Sequence, residues 1–271
     1  MIRAVFFDID GTLLSFTTHK VPTSTWRAIE ALHSKGIRTF IASGRRKADI
    51  DLVTLPPMDG YITFNGGVCI DHEGNRLCEK TIGSDDIERL IEHQENSSTP
   101  FPCVIVRDDG MYLDRDSSVV IDFYRAVNVP PPCVLQWEDW KKMVREGAPQ
   151  LLGFFSPADE EYLFSSVMKT SKAMRWTDVF ADVVPLSSSK SDGIDLLCER
   201  YGIDKSQTMA IGDGGNDIDM LRYAAVGVAM GQASDEVKAA ADYVTSNVDD
   251  DGVARALIHL GLLTEEDVFM R

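Results

Sequence analysis

Three short apolar runs near the start of the chain, residues 5–7, 37–42 and 60–64, each break off at small polar residues, and helix-patterned stretches lie between them. This alternation predicts a parallel sheet with crossover helices, because a parallel strand pair needs a connection long enough to bring the chain back to the same end. The first helical stretch, residues 23–35, carries Thr23 or Ser24 as the expected cap and Trp26, Ile29 and Leu32 as the expected buried face. The second, residues 47–55, is cut off by Pro56 and Pro57. Ligands of parallel sheets bind beyond the carboxyl ends of the strands. Asp8, Ser43 and Asn65 fall at three such ends.

The rhythm changes after residue 67. Residues 68–82 read as a hairpin turning at residues 71–75. Helix-like stretches (85–95, 118–126, 159–168) then mix with strand-like ones (103–106, 151–155, 179–184), and none of the strand ends carries a comparable polar cluster. Residues 83–185 are therefore expected to form an inserted α+β domain, of ordinary domain size. From Lys190 the first rhythm resumes. A helix over 191–201 and a strand over 208–211 lead into Gly212-Asp213-Gly214-Gly215-Asn216-Asp217, and a helix follows over 218–223. A strand over 226–230, a helix capped by Ser234 or Asp235, a short edge strand at Tyr243 and Val244 and a helix over 253–260 complete the chain. Residues 1–82 and 186–271 together are expected to build one α/β core.

Asp8 and Asp10 stand two positions apart at the end of the first strand, and Asp213 stands at the end of a later one. Nearby carboxylates repel, so a site that gathers them needs a cation or a shared proton. An oxygen-rich pocket of this kind suits a hard divalent cation, Mg2+ above all. Each cluster alone also reads as a turn or a helix cap. The whole chain of 271 residues has a net charge of -16, which argues against a nucleic-acid partner, whose recognition begins with a positive surface. Five cysteines without a C-x-x-C suit free thiols in a reducing compartment. No apolar stretch approaches membrane-spanning length, and the N-terminus does not read as a signal peptide. A cytoplasmic protein with no membrane partner is expected.

With these elements in place, Asp8-Ile9-Asp10-Gly11-Thr12 resembles the first motif of the haloacid dehalogenase superfamily. Ser43 ends a strand as the second motif does, Lys190 opens a helix as the third does, and residues 212–217 are similar to the fourth, G-D-G-x-N-D. The insert between the second and third motifs is similar to the C2B cap of the Cof-type (subfamily IIB) sugar-phosphate phosphatases, and Asn65-Gly66-Gly67 fits the N-G loop of that branch. The resemblance runs over essentially the full length. It implies a Rossmann-like core with residues 83–185 as the cap.

It also implies roles. Asp8 would attack phosphorus, and Asp10 would protonate the leaving alkoxide and then take a proton from water. Mg2+ would be held by the Asp8 side chain, the Asp10 backbone carbonyl and Asp213. Asn216 and Asp217 would support the metal's waters or orient Lys190. Ser43 and Lys190 would bind the phosphoryl group, with Asn65, Gly66 and the backbone around Gly11 completing the cradle. One departure is visible: the family often places Gly directly after the Lys, whereas here Ser191 and Asp192 intervene before Gly193. In the insert, Trp176, Thr177 and Asp178 are candidates to contact a leaving group, although Trp176 better suits a packed core or interface. His19 and Arg45 could face substrate or solvent.

The expected partner is a small phosphorylated metabolite, the expected state a monomer. A phosphomutase is the rival reading. It would need a second cationic phosphate site in the insert, where Arg107, Arg115, Lys169, Lys172 and Arg175 lie without forming a tight cluster in the sequence. A non-enzymatic phosphate- or metal-binding protein should have lost a catalytic carboxylate, and Asp8, Asp10 and Asp213 are all present.

Overall fold

The structure, a computed structural model, describes residues 1–126, 129–175 and 177–270. The chain opens with β1 (Ala4–Phe7), α1 (Thr23–Ser34), β2 (Arg38–Ala42), α2 (Lys47–Ile50), β3 (Gly60–Thr63), β4 (Val68–Asp71) and β5 (Arg76–Glu79). The middle part holds α3 (Ser84–Asn96), β6 (Cys103–Arg107), β7 (Gly110–Leu113), α4 (Ser118–Ala126), β8 (Cys133–Val134), α5 (Trp137–Arg145), β9 (Gln150–Gly153), α6 (Glu160–Tyr162), β10 (Ser171–Met174) and β11 (Ala181–Pro185). Then come α7 (Lys190–Tyr201), β12 (Thr208–Gly212), α8 (Ile218–Tyr223), β13 (Val226–Ala229), α9 (Asp235–Ala239), β14 (Tyr243–Val244), α10 (Gly252–His259) and α11 (Glu265–Val268). These elements divide into two compact units, Met1–Cys78 with Ser189–Arg271, and Glu79–Ser188.

The first unit is an α/β layer structure. Its sheet has the order β14-β13-β12-β1-β2-β3-β4-β5, parallel from β14 to β3, with β4 antiparallel to β3. Successive side chains of a strand point to opposite faces, and β1 shows both faces buried. Val5 and Phe7 join Ala28, Ile29 and Leu32 of α1 and Val253, Ala254 and Leu257 of α10. Ala4 and Phe6 join Ile194 and Leu197 of α7 and Met220 and Leu221 of α8. Phe6 stacks on Phe40 with ring centroids 4.7 Å apart.

β1 sits between β2, which follows it, and β12, which arrives from the last third of the chain. The order of connection reverses there, so the crevice beyond β1 is where an α/β sheet of this kind binds ligands. The register fixes the level of its rim. Phe7 pairs with Ile41 on one side and Ile211 on the other, so Asp8, Ser43 and Asp213 leave neighbouring strands within about a residue or two of each other.

The inserted unit has its own sheet, β10-β11-β9-β6-β7-β8, antiparallel except for the β7–β8 pair. α3 and α5 supply Ile87, Leu90, Ile91, Trp140 and Val144 to its core. The Trp140 indole N–H donates to the Tyr112 carbonyl at 3.2 Å, which satisfies the polar edge of a fully buried ring. Among the described residues no helix is long and apolar enough to cross a membrane.

Several local expectations fail. Neither Thr23 nor Ser24 caps α1. The cap position is Pro22, without a side-chain hydrogen bond, and Ser24 Oγ instead donates to Asp251 at 2.5 Å. The buried stripe is Thr25, Ala28, Ile29 and Leu32, and Trp26 is only half-buried. Residues 47–55 hold only one helical turn, α2, which carries the Arg46–Asp49 and Lys47–Asp51 ion pairs at helical spacing. Residues 159–168 are no single helix: a 3-10 turn, α6 and a π-helical turn at Leu163–Val167 follow one another. Ser234, by contrast, caps α9 through the Val237 amide as expected.

Candidate active site

The rim residues are placed by main-chain bonds that extend each ladder one step. The Asp8 amide donates to the Ile211 carbonyl at 3.0 Å, and the Ser43 amide to the Ile62 carbonyl at 2.8 Å. Beyond Asp8 the chain turns tightly: Leu14 N donates back to Ile9 at 2.8 Å, and Gly11 sits inside the turn at φ +85.

The side chains of Asp8, Lys190, Asp213 and Asp217 converge. Lys190 is fully buried, yet its ammonium group donates to Asp8 Oδ1 at 2.7 Å and Asp217 Oδ1 at 2.5 Å. Asp217 Oδ2 accepts from the amides of Asp213 at 3.0 Å and Gly214 at 2.8 Å, so both oxygens of that carboxylate are occupied by the protein. Asp213 Oδ1 accepts the Thr12 hydroxyl at 3.0 Å. Asp8, Asp213 and Asp217 each present a carboxylate oxygen within 4.8 Å of the others. Asp217 binds its partners as a brace for Lys190 and for the 213–214 turn. Asp8 and Asp213 are the carboxylates that could face a cation.

Three carboxylates meet one ammonium group here, and the charge balance shows in their acidities. Burial, followed by the charge of Asp217, pushes the Asp8 carboxyl well above its ordinary range despite Lys190. Burial and Asp217 likewise push Asp213 up to about 7, against the hydrogen bond from Thr12. Burial pulls Lys190 down, but the charges of Asp217 and Asp8 outweigh it and hold the ammonium form. The donor set is oxygen only, partly buried and short of positive charge. It fits a hard divalent cation such as Mg2+ at Asp8 and Asp213.

Asp10 stands apart from this group. Both of its carboxylate oxygens accept from Arg45, Nε at 2.7 Å and Nη2 at 2.6 Å, in the two-pronged geometry that guanidinium and carboxylate share. Burial lowers the Arg45 guanidinium, but its bonds and attraction to Asp10 raise it on balance. Ser43 is buried and its hydroxyl accepts the Arg45 amide at 3.2 Å. Asn65 is fully buried with φ 53, its amide donates to the Ser43 carbonyl at 3.0 Å, and its Oδ1 accepts from Asn216 Nδ2 at 3.0 Å. Asn216 thus links the 65–66 loop to the 212–217 turn. Asp178 is exposed and belongs to the inserted unit. Trp176 lies outside the described residues.

Two residues of the site escape sequence reasoning. Arg45, left between substrate and solvent, is the direct partner of Asp10. Gln232 donates from Nε2 to the Gly11 carbonyl, accepts the Val248 amide on Oε1 at 3.2 Å, and also bonds the Asp213 carboxylate. Both were open to the strand-end argument. Arg45 lies two residues past Ser43, and Gln232 lies just past the end of β13.

A profile of the haloacid dehalogenase-like hydrolases matches residues 5–257. A Bacillus subtilis protein named "Putative phosphatase YkrA" is 31% identical over 264 residues, spanning 96% of this chain and 98% of that one. A solved phosphatase of the same superfamily from Bacteroides thetaiotaomicron is 35% identical, with a TM-score of 0.90 and coverage of 97% and 96%. A subclass IIB sugar phosphatase, BT4131, is 38% identical with a TM-score of 0.84, over 96% of this chain and 100% of that one.

Proposed function

This chain belongs to the haloacid dehalogenase-like hydrolases, and we propose that within that family of phosphatases it is a Mg2+-dependent enzyme that hydrolyses small phosphorylated metabolites, sugar phosphates among them. The observation that carries the reading is the buried Lys190 ammonium shared by Asp8 and Asp217, with Asp213 alongside. Lys190 aims Asp8 and works against the burial that raises its carboxyl, while offering positive charge to an incoming phosphoryl group.

In the proposed reaction an Asp8 oxygen forms a bond to phosphorus as the bond to the leaving oxygen breaks, giving an aspartyl-phosphate. The departing alkoxide takes its proton from Asp10. Water then attacks phosphorus, gives its proton back to Asp10, and the Asp8–phosphorus bond breaks to release inorganic phosphate. Asp10 must surrender part of its hold on Arg45 to carry that proton, so Arg45 sets its resting position. The cation held at Asp8 and Asp213 would offset the repulsion between Asp8 and the anionic phosphoryl group. The Ser43 hydroxyl, the Asn65 side chain and the backbone at Gly11 line the remaining side for phosphoryl oxygens. The inserted unit is read as the cap that selects the leaving group, with Asp178 a candidate contact.

Sugar phosphates are favoured because a 38% identical neighbour is a sugar phosphatase. The phosphatase reading is favoured over a mutase because three arginines of the insert are engaged by carboxylates: Arg107 with Glu146, Arg115 with Asp114 and Arg175 with Glu160. A cytoplasmic monomer goes with this reading.

The test is phosphate release from a panel of hexose, pentose and nucleotide phosphates, with Mg2+ and with chelator, for the wild type and Asp8→Asn. Release that needs Mg2+ and Asp8 is expected. Equal rates in Asp8→Asn would remove the aspartyl-phosphate, and isomerised sugar phosphate without release would make the enzyme a mutase.

A further inference from the structure

Lys190 is the first residue of α7, so its aim depends on how the first turn of that helix is held. The N-cap is Ser189, whose hydroxyl accepts the Asp192 amide at 3.1 Å. The next residue, Ser191, points both its amide and its hydroxyl at one atom of another helix: each lies 3.2 Å from Oδ2 of Asp219, in the first turn of α8. The Ser189 and Ser191 hydroxyls are 3.0 Å apart.

Direction follows from donor counting. An ionised carboxylate only accepts, so Ser191 Oγ–H donates to Asp219. Ser191 Oγ then accepts from Ser189 Oγ–H, and Ser189 Oγ accepts from the Asp192 amide. A single directed chain of four hydrogen-bonding groups closes the N-terminus of α7 around the turn that contains Lys190. It ends on a negative charge placed where the helix's free amides favour one.

We propose that Ser191 and Asp219 are positioning residues that clamp the first turn of α7 to α8 and thereby hold the Lys190 ammonium between Asp8 and Asp217. The inference rests on the role given to Lys190 in the proposed phosphatase reaction. α8 follows directly on the turn containing Asp217, so the same short segment both pairs with the ammonium group and anchors the backbone that carries it.

Two further observations support the clamp. First, Asp219 Oδ1 is buried and has no hydrogen-bond partner. A buried acceptor left unpaired destabilises, so Asp219 is better suited to holding a geometry than to strengthening the fold. Second, the displaced glycine of this motif has a different task. Gly193 packs against Ile62 of β3, where an added Cβ would come within 2.6 Å of Ile62 Cγ2. Gly193 brings the helix close to the sheet, and Ser191 takes the position next to Lys190 and gives it a side-chain anchor.

The test uses the full chain with Ser191→Ala, Asp219→Ala, the double variant and Ser191→Thr. Two measurements are made: steady-state phosphate release with Mg2+, and labelling of Lys190 by an amine-reactive anhydride, followed by peptide mass spectrometry against exposed lysines. In the wild type Lys190 resists labelling. Each single variant is expected to lower kcat roughly tenfold with KM within about threefold, because a reacting group is misplaced while substrate contacts remain. The double variant should lose no more than either single, Ser191→Thr should recover most of kcat, and Lys190 should become labelled in both alanine variants while the unfolding curve stays cooperative. Losses that multiply in the double variant, or wild-type kcat in either single, would overturn the clamp. So would Lys190 labelling unchanged from wild type, and that readout holds even if the wild type releases no phosphate, an outcome that would instead sink the phosphatase reading. If Ser191→Ala fails to fold, Asp219→Ala, which removes the acceptor and leaves Ser191 in place, carries the comparison against wild type.

Discussion

Without a divalent cation, Asp213 should make the protein less stable as pH rises. Its carboxyl is held up to about 7 in the folded state by burial and by Asp217, against an ordinary value of 3.8. Between those values the folded state binds a proton that the unfolded chain has lost. Stability associated with this group is therefore complete below about pH 4 and is lost progressively until about pH 7. At about 1.4 kcal/mol per unit, the full effect is on the order of 4 kcal/mol, with more than half of it falling between pH 5 and pH 8. Asp8, also raised, acts with the same sign. The assay is urea unfolding in chelator at a series of pH values for the wild type and Asp213→Asn, which removes the titrating group while keeping an acceptor for Thr12. The variant's stability should fall less steeply by about 2–3 kcal/mol over that range, and at pH 8 it should be the more stable protein. Millimolar Mg2+ should flatten the wild-type profile, since a ligand bound only by the folded state stabilises it. Parallel pH profiles for the two proteins in chelator would refute the argument, because Asp213 would then be ionised in the fold without cost.

Gly66 has φ +94, and an added Cβ would lie 1.9 Å from the Ser189 carbonyl oxygen, so Gly66→Ala should lower stability by at least about 2 kcal/mol, read from the shift in urea midpoint; an unchanged midpoint would show that the two segments do not meet this closely. Lys190→Met strands Asp8 and Asp217 without their shared cation and should cost about 3–5 kcal/mol in chelator at pH 8, and adding Asp217→Asn should recover part of that loss. Equal stability of the single and double variants would mean that the ion pairs do not hold the site.

The positions of the principal residues were legible in the sequence because parallel strands buried on both faces read as unbroken apolar runs. The first polar residue after such a run marks the rim of the sheet. Asp8, Ser43 and Asp213 were found this way, and Asn65 through the same break in pattern. What was not legible depends on contacts across large sequence separations. Ser24 looks like a cap but bonds Asp251, far along the chain. Arg45 looks like a solvated charge until Asp10 is placed beside it. Gln232 is an ordinary turn residue until the Gly11 carbonyl and the Val248 amide are on either side of it. In the insert, β7, β8 and β10 are short, and their apolar residues are too few for a period to show. There β7 is set by pairing with β6, β8 by pairing with β7, and β10 by pairing with β11.

The ion pair at the centre of the site joins residues 182 positions apart, Asp8 and Lys190, and Asp217 follows later still. A ribosome releases this chain from its N-terminus, so Asp8 emerges early and spends most of synthesis without Lys190 or Asp213 beside it. No truncated product ending before β12 can assemble the constellation, because β12 is the strand that docks against β1 and delivers Asp213 and Asp217. Translation interrupted before β12 therefore leaves Asp8 without the carboxylates it meets in the finished fold. The burst of activity in a cell-free synthesis reaction should lag the appearance of chain by the time needed to complete and dock the last third.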